Sequence, residues 1–163
     1  MGICFNSIGQ IRSPYIESAP YQPVDDDYNQ FKIVLSPEYT DGITGLDKFE
    51  YIYVLYFIDR IVGGVENEVI PPWTKDHKVG VFASRSPVRP NAIGLSVVKI
   101  KNIRKNTIQI SGIDVFDNTP LLDIKPYLKG LDSKADSNRG WVDEVEGSKE
   151  HLDLHIKGIP HDH

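Results

Sequence analysis

Residues 51–58 read YIYVLYFI, an unbroken apolar and aromatic run without Pro, Gly or charge. It is too short for a buried helix and rich in β-branched and aromatic side chains, so it predicts a strand buried on both faces at the centre of the core. A strand of that kind needs partners, and the chain offers several short ones. Ile3 to Ile11 and Phe31 to Leu35 are β-favouring runs, each followed by Ser-Pro, which marks the chain leaving a strand. Val79 to Ala83 reads as another. Leu95 to Ile103 and Thr107 to Val115 alternate in part across Arg104, Lys105 and Asn106, the pattern of an antiparallel hairpin, and Leu121 to Ile124 adds a further short strand. Helical signals are sparse: Glu38 to Phe49 allows a turn or two, with Gly42 and Gly45 weakening anything longer. Many short strands must bury one face and hide their edges, so the expected fold is mainly all-β, a small and nearly closed antiparallel barrel with irregular ligand-binding loops. Asp132 to Arg139, DSKADSNR, is polar and aperiodic and reads as a loop. We therefore expect a barrel domain over 1–140 and a C-terminal appendage or tail over 141–163.

Charge limits the partners. The 163 residues carry a net charge of −5, so the chain as a whole has no general attraction to nucleic acid and any such contact must be local. Lys99, Lys101, Arg104 and Lys105 form one basic cluster, read as a solvated strand face; Arg85 and Arg89 form a second. Acids gather at Asp25 to Asp27 and at Asp143, Glu144 and Glu146. The single cysteine, Cys4, lies in a predicted strand and has no internal partner, and no signal-peptide pattern or membrane-length apolar run is visible, so a cytoplasmic protein without a membrane association is expected. The start, Met-Gly-Ile-Cys-Phe-Asn, has Asn6 where an acylation signal has Ser or Thr.

The common catalytic signatures are missing. There is no GxGxxG, no phosphate loop and no serine in a nucleophile elbow, and Gly63-Gly64 reads as a turn. His151, His155, His161 and His163, with Asp153 and Asp162, are the one possible metal set; the alternating HLDLHIK favours a strand or a mobile tail over a helical ligand pair, and no metal is expected. Two constellations remain at predicted strand ends. SRSPVRPNAIGLS (84–96) carries Arg85 and Arg89 on a backbone stiffened by prolines, with Asn91 and Gly94 permitting irregular turns; guanidinium forks suit carboxylate or phosphate. DVFDNTPLLDIKPY (114–127) supplies Asp114, Asp117 and Asp123, which accept from ribose hydroxyls or an amine, together with Lys125 and Tyr127. Residue types alone leave two readings: a binding site, or loops stapled to the barrel by Arg–Asp pairs.

GVFASRSPVRPNAIGLS followed by GIDVFDNTPLLDIKPY strongly resembles the TrmO family of tRNA adenine-37 N6-methyltransferases, and IGQIRSPY and GLDKFEYIYVL resemble two further elements of that family in the right order, over about residues 8 to 142. The resemblance implies an S-adenosylmethionine-dependent enzyme on a β-barrel, working as a homodimer with its site near the subunit interface. It implies cofactor contacts from Pro20, Tyr21 and Gln22, from Asp59 and Arg60, from Arg85 and Leu95, and from Asp114, Val115, Phe116 and Asp117. It implies as substrate the threonylcarbamoyl-modified adenosine of a tRNA anticodon loop; the carboxylate of that modification could pair with Arg89, Lys125 or Arg60, which are the candidate substrate contacts.

Four positions depart from the family pattern: Tyr21 stands where an arginine is frequent, Asp59 for a histidine, Ala92 for a proline and Asn118 for a glycine. Methyl transfer proceeds by alignment in a desolvated pocket, with a carboxylate or tyrosine helping to remove the amine proton, and Asp117 and Tyr127 are the candidates for that work. Two other expectations remain open: the same cofactor chemistry on another substrate, and a non-catalytic module that binds S-adenosylmethionine or a nucleoside.

Overall fold

In the barrel strands alternate side chains point inward, and this accounts for the architecture. The computed structural model describes residues 2–24, 28–157 and 159. Six strands, β1 (Gly9–Arg12), β2 (Lys32–Leu35), β3 (Tyr51–Phe57), β6 (Ile93–Arg104), β7 (Thr107–Ile110) and β8 (Thr119–Pro126), pair antiparallel in the order β1-β2-β7-β6-β3-β8, and β8 bonds back to β1 to close the ring. Closure leaves the ring itself without an edge strand to be shielded. Two strands too short for the barrel, β4 (Glu68–Val69) and β5 (Val79–Gly80), form a separate ribbon in the long connection between β3 and β6.

Inward residues include Ile11, Ile33, Ile52, Val54, Val98, Ile108 and Leu121, all essentially inaccessible to solvent, and each fully buried side chain of this size contributes about 1.5–3 kcal/mol. Two glycines let strands approach closely. A Cβ on Gly9 would lie 2.3 Å from the Val34 carbonyl oxygen, and one on Gly94 would lie 2.0 Å from the Tyr56 ring. A second, smaller cluster of Val69, Val79 and Val81 sits under the β4–β5 ribbon, with Val88 and Trp141 packed on it.

Several expectations are corrected. The run at 51–58 is not buried on both faces: burial alternates along β3, and Tyr51 and Phe57 are each 44% exposed on the outer wall, because a barrel this narrow has one core, inside. The first strand begins only at Gly9; Cys4 lies outside any strand and is exposed. The Val79–Ala83 strand stops at Gly80 and tightens into a 3-10 turn, Val81–Ala83. The second hairpin strand ends at Ile110, short of Val115, and the turn preceding it uses Lys105 at a φ of 51°. The stretch 38–49 holds two 3-10 helices, Pro37–Ile43 and Leu46–Lys48.

HLDLHIK is neither strand nor tail. It lies in a helix, α1 (Ser148–Ile156), whose i and i+4 imidazoles, His151 and His155, stack with centroids 5.1 Å apart, and His155 is buried against the edge of Trp73. That burial holds the helix where its sequence periodicity does not. His161, Asp162 and His163 lie outside the described residues, as do Asp25 to Asp27. Among the described residues no group of three His, Cys, Asp or Glu side chains could hold a metal ion, and no helix is long and apolar enough to cross a membrane.

Antiparallel closure decides which loops meet. The chain leaves β1 at Arg12 and β3 at Phe57, and enters β6 at Ile93 and β8 at Thr119, all at one end of the barrel. The segments 13–31, 58–92 and 111–118 therefore gather there, at what we term the mouth.

Candidate active site

Two charged clusters occupy the mouth. In the first, Arg12 Nε donates to Asp117 Oδ1 at 2.7 Å and Arg12 Nη2 to Asp117 Oδ2 at 3.1 Å, a bidentate pair. The Ser13 amide donates to Oδ1 at 3.2 Å and the Asn118 amide group to Oδ2 at 2.9 Å, so Asp117, itself buried, has each oxygen doubly bonded. The Arg12 hydrogen bond holds its carboxyl below the usual range, outweighing the upward pull of burial. Asn118 sits at a φ of 65°, left-handed backbone that asparagine accepts more readily than most residues, which is how it replaces a glycine here. Arg60 completes this cluster: its Nη2 donates to the Asp117 carbonyl at 2.6 Å, its guanidinium lies 5.5 Å from the Phe116 ring centroid, and Asp59 is 3.9 Å from its Nε.

The second cluster has Asp114 and Tyr56 at its centre. Burial raises the Asp114 carboxyl, with its own backbone amide and nearby Arg85 pulling the other way. The Tyr56 phenol, deep in the barrel and 3.2 Å from Ser96 Oγ, is pushed up to about 12, first by burial and then by the Asp114 charge. Arg85 is exposed, and among the described residues no salt bridge reaches it. A half-buried acid with an exposed cation near it and no salt bridge between them suits a ligand bearing both charges.

The loop behind Arg85 is tightly held. Arg89 donates to the carbonyls of Val81, Ser84 and Ser86 at 3.4–3.5 Å, long bonds that brace the turn, while Ser84 Oγ bridges from the Val81 carbonyl to the Ser86 amide. Ala92 keeps the family proline's place through its carbonyl, which accepts from the Ile58 amide at 2.8 Å. A groove of about 940 Å³ runs beside this loop on the outer wall, between Phe57, Ile61, Val88, Asn91 and Leu122; Arg89 lines it, whereas Arg85 and Asp114 do not.

Of the sequence-predicted set, Asp59, Arg60, Phe116 and Asp117 meet directly, and Arg85 is near enough to Asp114 for its charge to pull that carboxyl down. Val115 is buried beneath them, its carbonyl accepting from Ser13 Oγ at 2.6 Å. Leu95 points outward from β6 opposite Leu55, 55% exposed on the wall below the mouth. Pro20, Tyr21 and Gln22 lie in the β1–β2 connection, which starts and ends at the mouth. Tyr127 and Lys125 are elsewhere. β8 carries the chain away from Asp117, and its eight residues at roughly 3.3 Å each put Tyr127 about 25 Å off, at the opposite end of the barrel. There Tyr127 packs on Tyr53 at 5.4 Å, and Lys125 is paired with Asp123 at 2.7 Å. Sequence reasoning missed Arg12, Ser13, Tyr56 and Ser96. The first two could have been found: Arg12-Ser13-Pro14 repeats the tripeptide Arg85-Ser86-Pro87 at a second strand end.

The Asp117 network has a testable cost. Its native carboxyl titrates below its unfolded value, so its stabilisation is fully present above the unfolded value, near 4, and is lost as pH falls through the native one. Asp117→Asn should lower stability at pH 7 by about 1–2 kcal/mol, Arg12 being half exposed, and the gap from wild type should close below pH 4 in denaturant titrations. A gap that persists at acid pH would mean that shape, not charge, is what the site requires.

Residues 10–133 match the family described as the tRNA-methyltransferase O N-terminal domain. The chain is 35% identical over 144 residues to an S-adenosyl-L-methionine-binding protein of Archaeoglobus fulgidus, covering 87% of this chain and 96% of that one. It is 33% identical over 155 residues to the tRNA (adenine(37)-N6)-methyltransferase of Escherichia coli, covering 89% of this chain and 66% of the enzyme. The crystal structure of TrmO from Pseudomonas aeruginosa superposes with a TM-score of 0.69 at 31% identity, covering 86% of this chain and 62% of that one. The chain thus spans slightly under two-thirds of these two longer relatives. With the barrel, the mouth clusters and the matched span in agreement, this chain belongs to the tRNA-methyltransferase O N-terminal domain family.

Proposed function

We propose that this protein is an S-adenosylmethionine-dependent methyltransferase acting on N6 of threonylcarbamoyladenosine at position 37 of tRNA. The observation that carries the reading is the Arg85–Asp114 arrangement. An exposed guanidinium that no salt bridge reaches among the described residues, with the half-buried Asp114 carboxyl near it, matches the carboxylate and the ammonium of the cofactor's amino-acid end, or its ribose hydroxyls. Asp59, Arg60, Val115, Phe116, Leu95 and the Pro20–Gln22 loop complete the proposed cofactor set. When bound, the cofactor supplies an electrophilic methyl group. The chain's own residues orient the reactants and exclude water, the principal requirement of an in-line displacement.

The catalytic nominations divide. Asp117, with four donors on its oxygens, is too weak a base to take a proton and is better assigned to holding the 111–118 segment and Arg12 in place. Tyr127, about 25 Å away along β8, reaches a mouth only if it belongs to a second copy. We propose a homodimer, supported by the exposed outer-wall side chains Tyr51, Phe57, Leu95 and Val97. We further propose a cytoplasmic location, with residues 1–140 as the transferase domain and 141–163 as an appended piece. The test is S-adenosylhomocysteine formation with cellular RNA against a no-RNA control. Product that depends on RNA is expected. Binding of S-adenosylmethionine without product would instead favour a sensing module.

A further inference from the structure

We propose that Trp141 is a positioning residue for Arg85, so that the C-terminal segment sets cofactor affinity without touching the cofactor. The inference rests on the reading of Arg85 as a cofactor ligand. Trp141 lies in the 3-10 turn Gly140–Asp143, and its Nε1 donates to the Ala83 carbonyl at 2.9 Å, two residues before Arg85. Its ring packs on Val69, Val79 and Val81 and faces His77 at 5.6 Å, so it spans the β4–β5 ribbon and the Val81–Ala83 turn together. The turn is anchored in its own right: Arg139 pairs with Asp153 of α1 at 3.2 Å, and α1 is fixed through His155 on Trp73.

Four carbonyls around Arg85 are engaged by side-chain donors. Val81, Ser84 and Ser86 accept from Arg89, inside the loop, and Ala83 accepts from Trp141, outside it. The backbone is therefore clamped between two donors while the Arg85 side chain is exposed. Without the indole donor the Ala83 carbonyl can turn to water, and the segment 83–86 loses the outer half of its clamp. The barrel core, centred on Ile52, Val54 and Leu121, does not involve Trp141. The effect should therefore fall on where Arg85 points and leave the fold intact.

The test is a double-mutant cycle read by calorimetric titration of the full chain with S-adenosylmethionine. Trp141→Phe keeps an aromatic ring on the valine cluster and removes the donor; Trp141→Leu, apolar and also without a donor, is the second variant should the first not fold. In the wild-type background we expect the dissociation constant to rise about threefold to tenfold, and in the Arg85→Ala background to change by less than about 1.5-fold, since the residue being positioned is gone. Equal losses in both backgrounds, or none in the first, would overturn the inference while leaving Arg85 a ligand. If Arg85→Ala alone binds as wild type does, the reading of Arg85 fails and the inference falls with it.

Discussion

Arg85→Ala should weaken S-adenosylmethionine binding by about 1.5–3 kcal/mol, roughly 10-fold to 150-fold, and leave the melting temperature close to that of the wild type. The two halves of this expectation have one origin. Arg85 is exposed and unpaired by any salt bridge among the described residues, so the folded barrel does not depend on it. Surface substitutions of that kind usually fall within about 0.5 kcal/mol. A charge-assisted contact to a ligand, by contrast, is lost whole. Arg89→Ala is the contrasting control: three loop carbonyls lean on that side chain, so its loss should reduce stability as well as affinity. Arg85→Lys separates charge from geometry, because an ammonium keeps the charge without the planar fork. Unchanged affinity in a folded Arg85→Ala variant would remove Arg85 from the site.

The barrel was legible in the sequence because short strands bounded by Ser-Pro and Gly leave few other ways to bury one face. The motif boundaries were legible too: both loops, 84–96 and 114–127, do lead into barrel strands, β6 and β8, at the mouth. What failed, failed where local pattern and three-dimensional pairing separate. YIYVLYFI is apolar at both parities, and nothing in it tells the inner wall, Ile52, Val54 and Tyr56, from the outer one. DVFDNTPLLDIKPY is continuous in sequence, which invites a single site, yet a strand runs through its middle and carries Tyr127 to the far end. Asp117 finds its partner Arg12 at a separation of 105 residues, beyond any local rule. In HLDLHIK, the burial of His155 against a tryptophan far back in the chain decides for a helix, and the alternation of apolar residues is overridden.

The largest effect expected of any single change lies in the substrate. Methyl transfer should be confined to tRNA that already carries the threonylcarbamoyl group, and a bare transcript should accept essentially none. A flexible anticodon loop allows its adenine to unstack and enter a mouth, which a duplex would hinder. The modification then supplies a carboxylate that plain adenosine lacks. Of the cations named for it, Lys125 is paired with Asp123 away from the mouth and Arg89 is committed to its own loop. Arg60 is best placed: it stands at the mouth over Phe116, where it would border both cofactor and substrate, and its side chain is 40% exposed although Nη2 holds the Asp117 carbonyl and Asp59 lies 3.9 Å from Nε. A local contact of this kind suits a chain of net charge −5, which repels RNA at long range. Few phosphates should be engaged; with about two, raising salt from 50 to 200 mM should cost roughly tenfold in affinity, not the thousandfold or more of a basic groove. The assay compares labelled methyl transfer to threonine tRNA purified from cells lacking the methyl group with transfer to the same tRNA transcribed in vitro. Equal labelling would refute the need for the carbamoyl group. If neither is labelled while S-adenosylmethionine still binds, Tyr21 and Asp59, the two departures that remove positive charge from the family pattern, become the grounds for seeking a different methyl acceptor.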